Sequence, residues 1–119
     1  MPFIQILSSV EELSPESREA LHDDCTEVLS KVLQKSKRYI MSRIEVSKDL
    51  SFAEDSQTPS AYIEIKNVGT LSPDLTKQLS AQISDLAERH LGVQAGRVYI
   101  EFQISERHLW GWNGKTFAN

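Results

Sequence analysis

Leu13-Ser14-Pro15-Glu16 recurs in the second half of the chain as Leu71-Ser72-Pro73-Asp74. In both places the tetrapeptide stands between a β-rich run and a helical stripe. Each copy reads as a helix start. Serine can cap, proline suits the first helical position because its missing N–H would have no partner there, and the acid complements the positive end of the helix dipole. Behind the first copy, Leu21, Cys25, Val28, Leu29, Val32 and Leu33 recur at helical spacing. Behind the second come Leu75, Leu79, Ile83, Leu86, Ala87 and His90, with Gly92 as the stop. Pro2–Leu7 and Ser60–Ile65 precede the helices as strands, and Arg38–Val46 and Arg97–Phe102 follow them. Ser47–Pro59 is polar and irregular, a connection.

Two copies of strand–helix–strand narrow the topology sharply. Within each copy the strands must be parallel and joined by a right-handed crossover. Side by side, the copies predict an α+β fold: two β-α-β pseudo-repeats forming one four-stranded mixed sheet with two helices on one face. A chain of 119 residues makes this a single domain over 1–119. Two helices cover only one side of a sheet. The reading leaves Phe3, Tyr62, Ile63, Phe102 and their neighbours on an uncovered face, which favours a closed ring of identical subunits.

The bulk properties exclude several classes. A net charge of −4 argues against a sequence-independent nucleic-acid surface, which needs clustered Lys and Arg. Cys25 is the only cysteine, so an internal disulfide, a CxxC redox motif and a zinc cluster are not expected. No run approaches the ~20 apolar residues that span a bilayer. The N-terminus lacks the basic-then-apolar pattern of a secretory signal. The expectation is a cytoplasmic protein without membrane or nucleic-acid partners. His22, His90 and His108 show no ligand spacing, and no metal site is expected.

Three features carry chemistry. Met1 precedes the small residue Pro2, an arrangement in which the methionine is normally trimmed, leaving a rigid secondary amine at the mouth of an apolar strand. Burial and a nearby cation would both lower that amine's pKa toward neutrality. The plainer reading is a proline tolerated at a strand's first position. Lys31, Lys35, Lys37 and Arg38 form a basic cluster in an acidic chain. Cations at a helix C-terminus answer its dipole, yet one of them could hold a substrate carboxylate and disfavour the protonated amine. The tail Leu109-Trp110-Gly111-Trp112-Asn113-Gly114-Lys115-Thr116-Phe117 holds both tryptophans around an Asn-Gly turn. It reads as a subunit contact, as an aromatic wall for an apolar or aryl ligand, or as both.

MPFIQI (Met1–Ile6), KSKRYI (Lys35–Ile40), RVYIEF (Arg97–Phe102) and WGWNGKTFA (Trp110–Ala118) together resemble the macrophage migration inhibitory factor branch of the tautomerase superfamily, over essentially the whole chain. The resemblance implies a homotrimer with three sites at subunit boundaries. It implies cofactor-free keto–enol tautomerisation of phenylpyruvate- or dopachrome-like α-keto acids or enols. By motif, Pro2 would be the base and Lys35 would hold the carboxylate. Tyr39 would sit near the site, and Val68 takes the place of an isoleucine that offers its backbone N–H. Tyr99 would come from a neighbouring subunit, and Trp112 and Phe117 would pack around the pocket. Glu101 departs from the asparagine of mammalian members. A carboxylate there accepts a hydrogen bond from a substrate hydroxyl, repels an anion, and would raise the Pro2 pKa against the effect of Lys35. Ser60 and Ile63 stand where some members carry CxxC, which removes that thiol–disulfide route, and Trp110 replaces a smaller aliphatic residue. The resemblance also implies an alternative: a cytokine-like signalling protein, exported without a secretory signal, that engages a receptor while its pocket is vestigial. A third reading keeps the proline chemistry for decarboxylation or hydration.

Overall fold

The structure, a computed structural model, describes residues 1–118. In chain order it runs β1 (Phe3–Ser8), α1 (Pro15–Leu33), β2 (Met41–Val46), β3 (Ala61–Val68), α2 (Pro73–Leu91) and β4 (Val98–Ser105). A small hairpin of β5 (Gly111–Trp112) and β6 (Lys115–Thr116) closes it. Both repeated tetrapeptides act as read. The Ser14 hydroxyl accepts from the Ser17 N–H at 3.0 Å and the Ser72 hydroxyl from the Leu75 N–H at 3.2 Å, with proline at the first turn of each helix. The helices stop differently. Gly92 takes the left-handed conformation that ends α2, whereas α1 ends on Gln34 at φ 53°.

The sheet order is β2-β1-β3-β4. Strand β1 lies parallel to β2, β3 lies parallel to β4, and the two units meet along the antiparallel pair β1/β3. Alternation then sorts the side chains. Ile4, Ile6, Ile44, Ile63 and Ile65 turn inward onto Leu21, Cys25, Leu29, Leu79, Ile83 and Leu86 of the helices, forming one core. The Cys25 thiol lies in it, and burial, reinforced by Asp24, pushes its pKa up to about 12. No helix among the described residues is long and apolar enough to cross a membrane.

Two expectations need correction here. Ile63 is fully buried under the helices and Phe102, opposite Ile65, packs against the same core. The uncovered face instead carries Phe3, Leu7 and Tyr62 among Gln5, Arg43, Glu64, Lys66, Tyr99 and Glu101. It is a mixed surface with its own hydrogen bonds: the Tyr62 hydroxyl reaches Glu101 at 2.8 Å and Glu64 at 3.0 Å, and Arg43 donates to Gln5 at 3.1 Å. The Glu101 contact first, then burial and Glu64, keeps the phenol protonated well above its usual range. Secondly, the segment read as a strand from Arg38 opens with a 3₁₀ turn, Lys37–Tyr39, capped by Ser36. Strands β3 and β4 also run three residues beyond the ends read from the sequence, to Val68 and Ser105.

The polar connection between β2 and β3 is tied down. Phe52 and Asp55 exchange backbone hydrogen bonds at 3.1 and 3.0 Å, and the residues between them, Ala53 and Glu54, have φ of 54° and 61°. Asp55 accepts from the Thr58 hydroxyl at 2.5 Å and from the N–H groups of Thr58 and Gln57 at 3.0 and 2.8 Å. These bonds, the Thr58 hydroxyl foremost, hold its carboxyl at about 2, below the ordinary value of 3.8.

Two predictions follow from these local bonds. Ser14→Ala and Ser72→Ala should each lower unfolding free energy by about 1 kcal/mol, measured by urea denaturation. Because the folded pKa of Asp55 is depressed, its contribution is complete above its ordinary value and lost as pH falls through about 2. Amide NMR shifts of Gln57 and Thr58 should therefore stay flat from neutrality to about pH 3 and move only below it. A midpoint near the ordinary carboxylate value would contradict the bonding described.

Candidate active site

Strand β1 begins at the centre of the sheet, so the N-terminus is carried into the fold. Pro2 is fully buried, and its carbonyl accepts the Met41 N–H at 3.2 Å. A cleft of about 480 Å³ opens beside it, lined by Met1, Pro2, Phe3, Tyr39, Trp110 and Trp112 with Arg38 and Lys66. A second lobe of about 550 Å³ is lined by Met1, Lys35, Tyr39, Val68, Arg107, Trp112 and Phe117. Met1, Tyr39 and Trp112 belong to both, so the two lobes adjoin around Met1. The α-amino group of Met1 has its pKa lowered, first by burial and then by the Lys35 ammonium. The two effects inferred for an amine at this end therefore act on the nitrogen one residue out from Pro2.

The end of α1 delivers Lys35. After the left-handed Gln34, the Lys35 N–H donates to the Ser30 carbonyl at 3.2 Å, and the Ser30 hydroxyl donates to the Lys35 carbonyl at 2.6 Å. The rest of the basic cluster is accounted for differently. Lys31 and Lys37 both pair with Glu27, and Arg38 lies 5.4 Å over the Tyr39 ring. Among the described residues Lys35 has no such pair, which leaves its charge for the cleft.

The aromatic wall is built from two segments. The 3₁₀ turn places Tyr39, whose ring meets Trp112 edge-on at 5.3 Å. Trp112 stacks on Phe117 at 6.2 Å with the planes 8° apart. Asn113 and Gly114 make the turn between them with φ of 55° and 75°, the left-handed pair that a two-residue hairpin needs. The Phe117 N–H donates to the Trp110 and Arg107 carbonyls at 3.2 and 3.1 Å, and the Arg107 guanidinium donates to the Phe117 carbonyl at 3.1 Å.

Pro2 thus lines the first lobe, Lys35, Val68 and Phe117 line the second, and Tyr39 and Trp112 line both. Tyr99 and Glu101 line neither. Phe3 aligns with Lys66 and Gln103, whereas Tyr99 aligns with Tyr62 at the far end of β4, about 13 Å along the strand. Glu101 is bonded to Tyr62 there. Sequence reasoning did not single out Arg107, Lys66 or Met41 as lining the cleft. Arg107 stands in no motif, and its two hydrogen bonds with Phe117 tie it to the aromatic wall of the lobe that Lys35 also lines. Lys66 is the outward residue of a strand, legible once the sheet order is known.

Chemically, the two adjoining lobes present an aromatic wall, cations at Lys35 and Arg107 suited to an anion, and, at Met1, an amine held toward its neutral form. The family model described as macrophage migration inhibitory factor matches residues 1–118. The macrophage migration inhibitory factor of Xenopus tropicalis is 32% identical over 100 residues, covering 84% of this chain and 86% of that protein. Among solved structures, the homologue from Prochlorococcus marinus superposes with a TM-score of 0.90 at 30% identity, over 98% of this chain and 99% of the other. That of Toxoplasma gondii gives 0.87 at 26% identity, over 97% and 99%. The chain belongs to the macrophage migration inhibitory factor family.

Proposed function

We propose that this protein is a cofactor-independent keto–enol tautomerase of aryl α-keto acids, with Pro2 as general base once Met1 has been removed. The observation that carries the reading is the burial of Pro2 beside an aromatic cleft, with Lys35, unpaired among the described residues, in the adjoining lobe. In the proposed step the Pro2 nitrogen takes a proton from the carbon next to the keto group. The electron pair of that C–H bond forms the C=C bond as the carbonyl π pair moves onto oxygen, and the protonated Pro2 nitrogen returns its proton to that oxygen to give the enol hydroxyl and the free base. The reverse path returns the proton to carbon. Lys35 binds the carboxylate, so its charge sits beside the developing enolate. It also disfavours the ammonium form of the base. Val68, at the end of β3, offers its backbone N–H to the substrate, and Trp112 and Phe117 receive the aryl group.

The reading includes a homotrimer. Tyr99 is 65% exposed and lies far along β4 from its own Pro2, so its part in the site requires another copy. Glu101 shares that strand face and would come with it.

Enol–keto conversion of phenylpyruvate is the direct test. Pro2→Gly should lower kcat by an order of magnitude or more, and mass spectrometry of active protein should find Met1 absent. Indistinguishable rates, or activity in a Met1-retaining preparation, would sink the proposal. Lys35→Ala should raise KM about tenfold, the worth of one charge-assisted hydrogen bond. Since activity needs the neutral amine, losing the cation raises the amine pKa, and the rising limb of the pH–rate profile should move to higher pH. A limb that stays in place would separate Lys35 from the base.

A further inference from the structure

Tyr99 presents an exposed ring on an edge strand, and that ring is braced. Its edge meets Phe52 at 4.9 Å with the planes at 63°. Phe52 in turn lies beneath the Arg97 guanidinium, 5.3 Å from the ring centre. Arg97 does more than cover it. Its Nε donates to the Pro59 carbonyl at 2.9 Å, and Nη2 donates to the carbonyls of Asp55 and Thr58 at 3.0 and 3.1 Å. One side chain therefore fastens the last part of the polar connection, from Asp55 to Pro59.

The turn that presents Phe52 is built against preference. A two-residue turn with both central residues left-handed calls for Gly, Asn or Asp, and here they are Ala53 and Glu54. Such conformations cost free energy and persist only where the surroundings over-determine them. The surroundings here are Arg97 and the triply bonded Asp55 carboxylate. A solvated loop does not need this much fixing, but a ring that must meet another molecule at a set angle does.

We propose that Arg97 and Phe52 are positioning residues that hold the Tyr99 ring in the orientation in which it closes a neighbouring copy's cleft over the aryl end of the substrate. The inference rests on the tautomerase reading above and adds a specificity device to it, remote from the reacting atoms. It acts on aryl binding and leaves proton transfer alone.

The test compares two enols, phenylpyruvate and a short alkyl α-keto acid, with folding of each variant checked by circular dichroism. Phe52→Leu should raise KM for phenylpyruvate several-fold, leave kcat within about twofold, and leave KM for the alkyl acid unchanged. Arg97→Lys, which keeps the charge but loses the fork that reaches three carbonyls, should act in the same direction. In a Tyr99→Ala background, Phe52→Leu should add nothing. Equal effects on both substrates, additive effects in the double variant, or no effect of Phe52→Leu while Tyr99→Ala weakens aryl binding would overturn the brace alone. A Tyr99→Ala variant with unaltered KM would likewise overturn the brace and leave proton transfer at Pro2 standing, whereas an inactive parent protein would overturn the tautomerase reading and the brace with it.

Discussion

The pairing of β1 on both of its edges is the constraint on which the rest depends. Its parallel partner β2 and antiparallel partner β3 close around the first residues of the chain. A terminus is ordinarily a frayed, solvated end; this one is a central strand with a buried first proline. Everything notable about the cleft follows from that placement. The α-amino group is partly desolvated because the strand it heads is central, and the helix preceding β2 ends next to it, bringing Lys35 within electrostatic reach.

Much of the fold was legible because it is written twice. The Leu-Ser-Pro-acid signature announces both helices, and the capping bonds of Ser14 and Ser72 give that signature its physical content. Alternation correctly grouped Ala61, Ile63 and Ile65, but the sequence alone could not say which face the helices would take. Hence Ile63 and Phe102 were expected on the uncovered side and lie in the core. Tyr39 looked like a strand residue; the Ser36 cap diverts its backbone into a turn, a competition between local side-chain bonding and strand pairing that composition does not resolve.

The candidate site was legible to a different degree. Pro2, Lys35 and the tryptophan-rich tail could be singled out by chemical type, and the repeat topology brings them to one end of the sheet. Arg107 and the Arg97–Phe52–Tyr99 series could not be. Their significance lies in contacts across the tail and across the connection between β2 and β3, segments whose conformation is set by individual hydrogen bonds and not by periodicity. Glu101 shows the limit of reading by position. Within the chain its carboxylate accepts the Tyr62 hydroxyl, a cross-strand bond that its place in a motif does not announce.

The central position of β1 also bears on how the protein is made. The strand is synthesised before both of its partners, Met41–Val46 and Ala61–Val68, which lie well downstream. Its apolar residues therefore remain unpaired through much of translation, and closure of the sheet waits on contacts of long sequence separation, the slow kind. The strand that heads the cleft is thus enclosed only once both downstream partners are in place, so the cleft takes its shape no earlier than the sheet does.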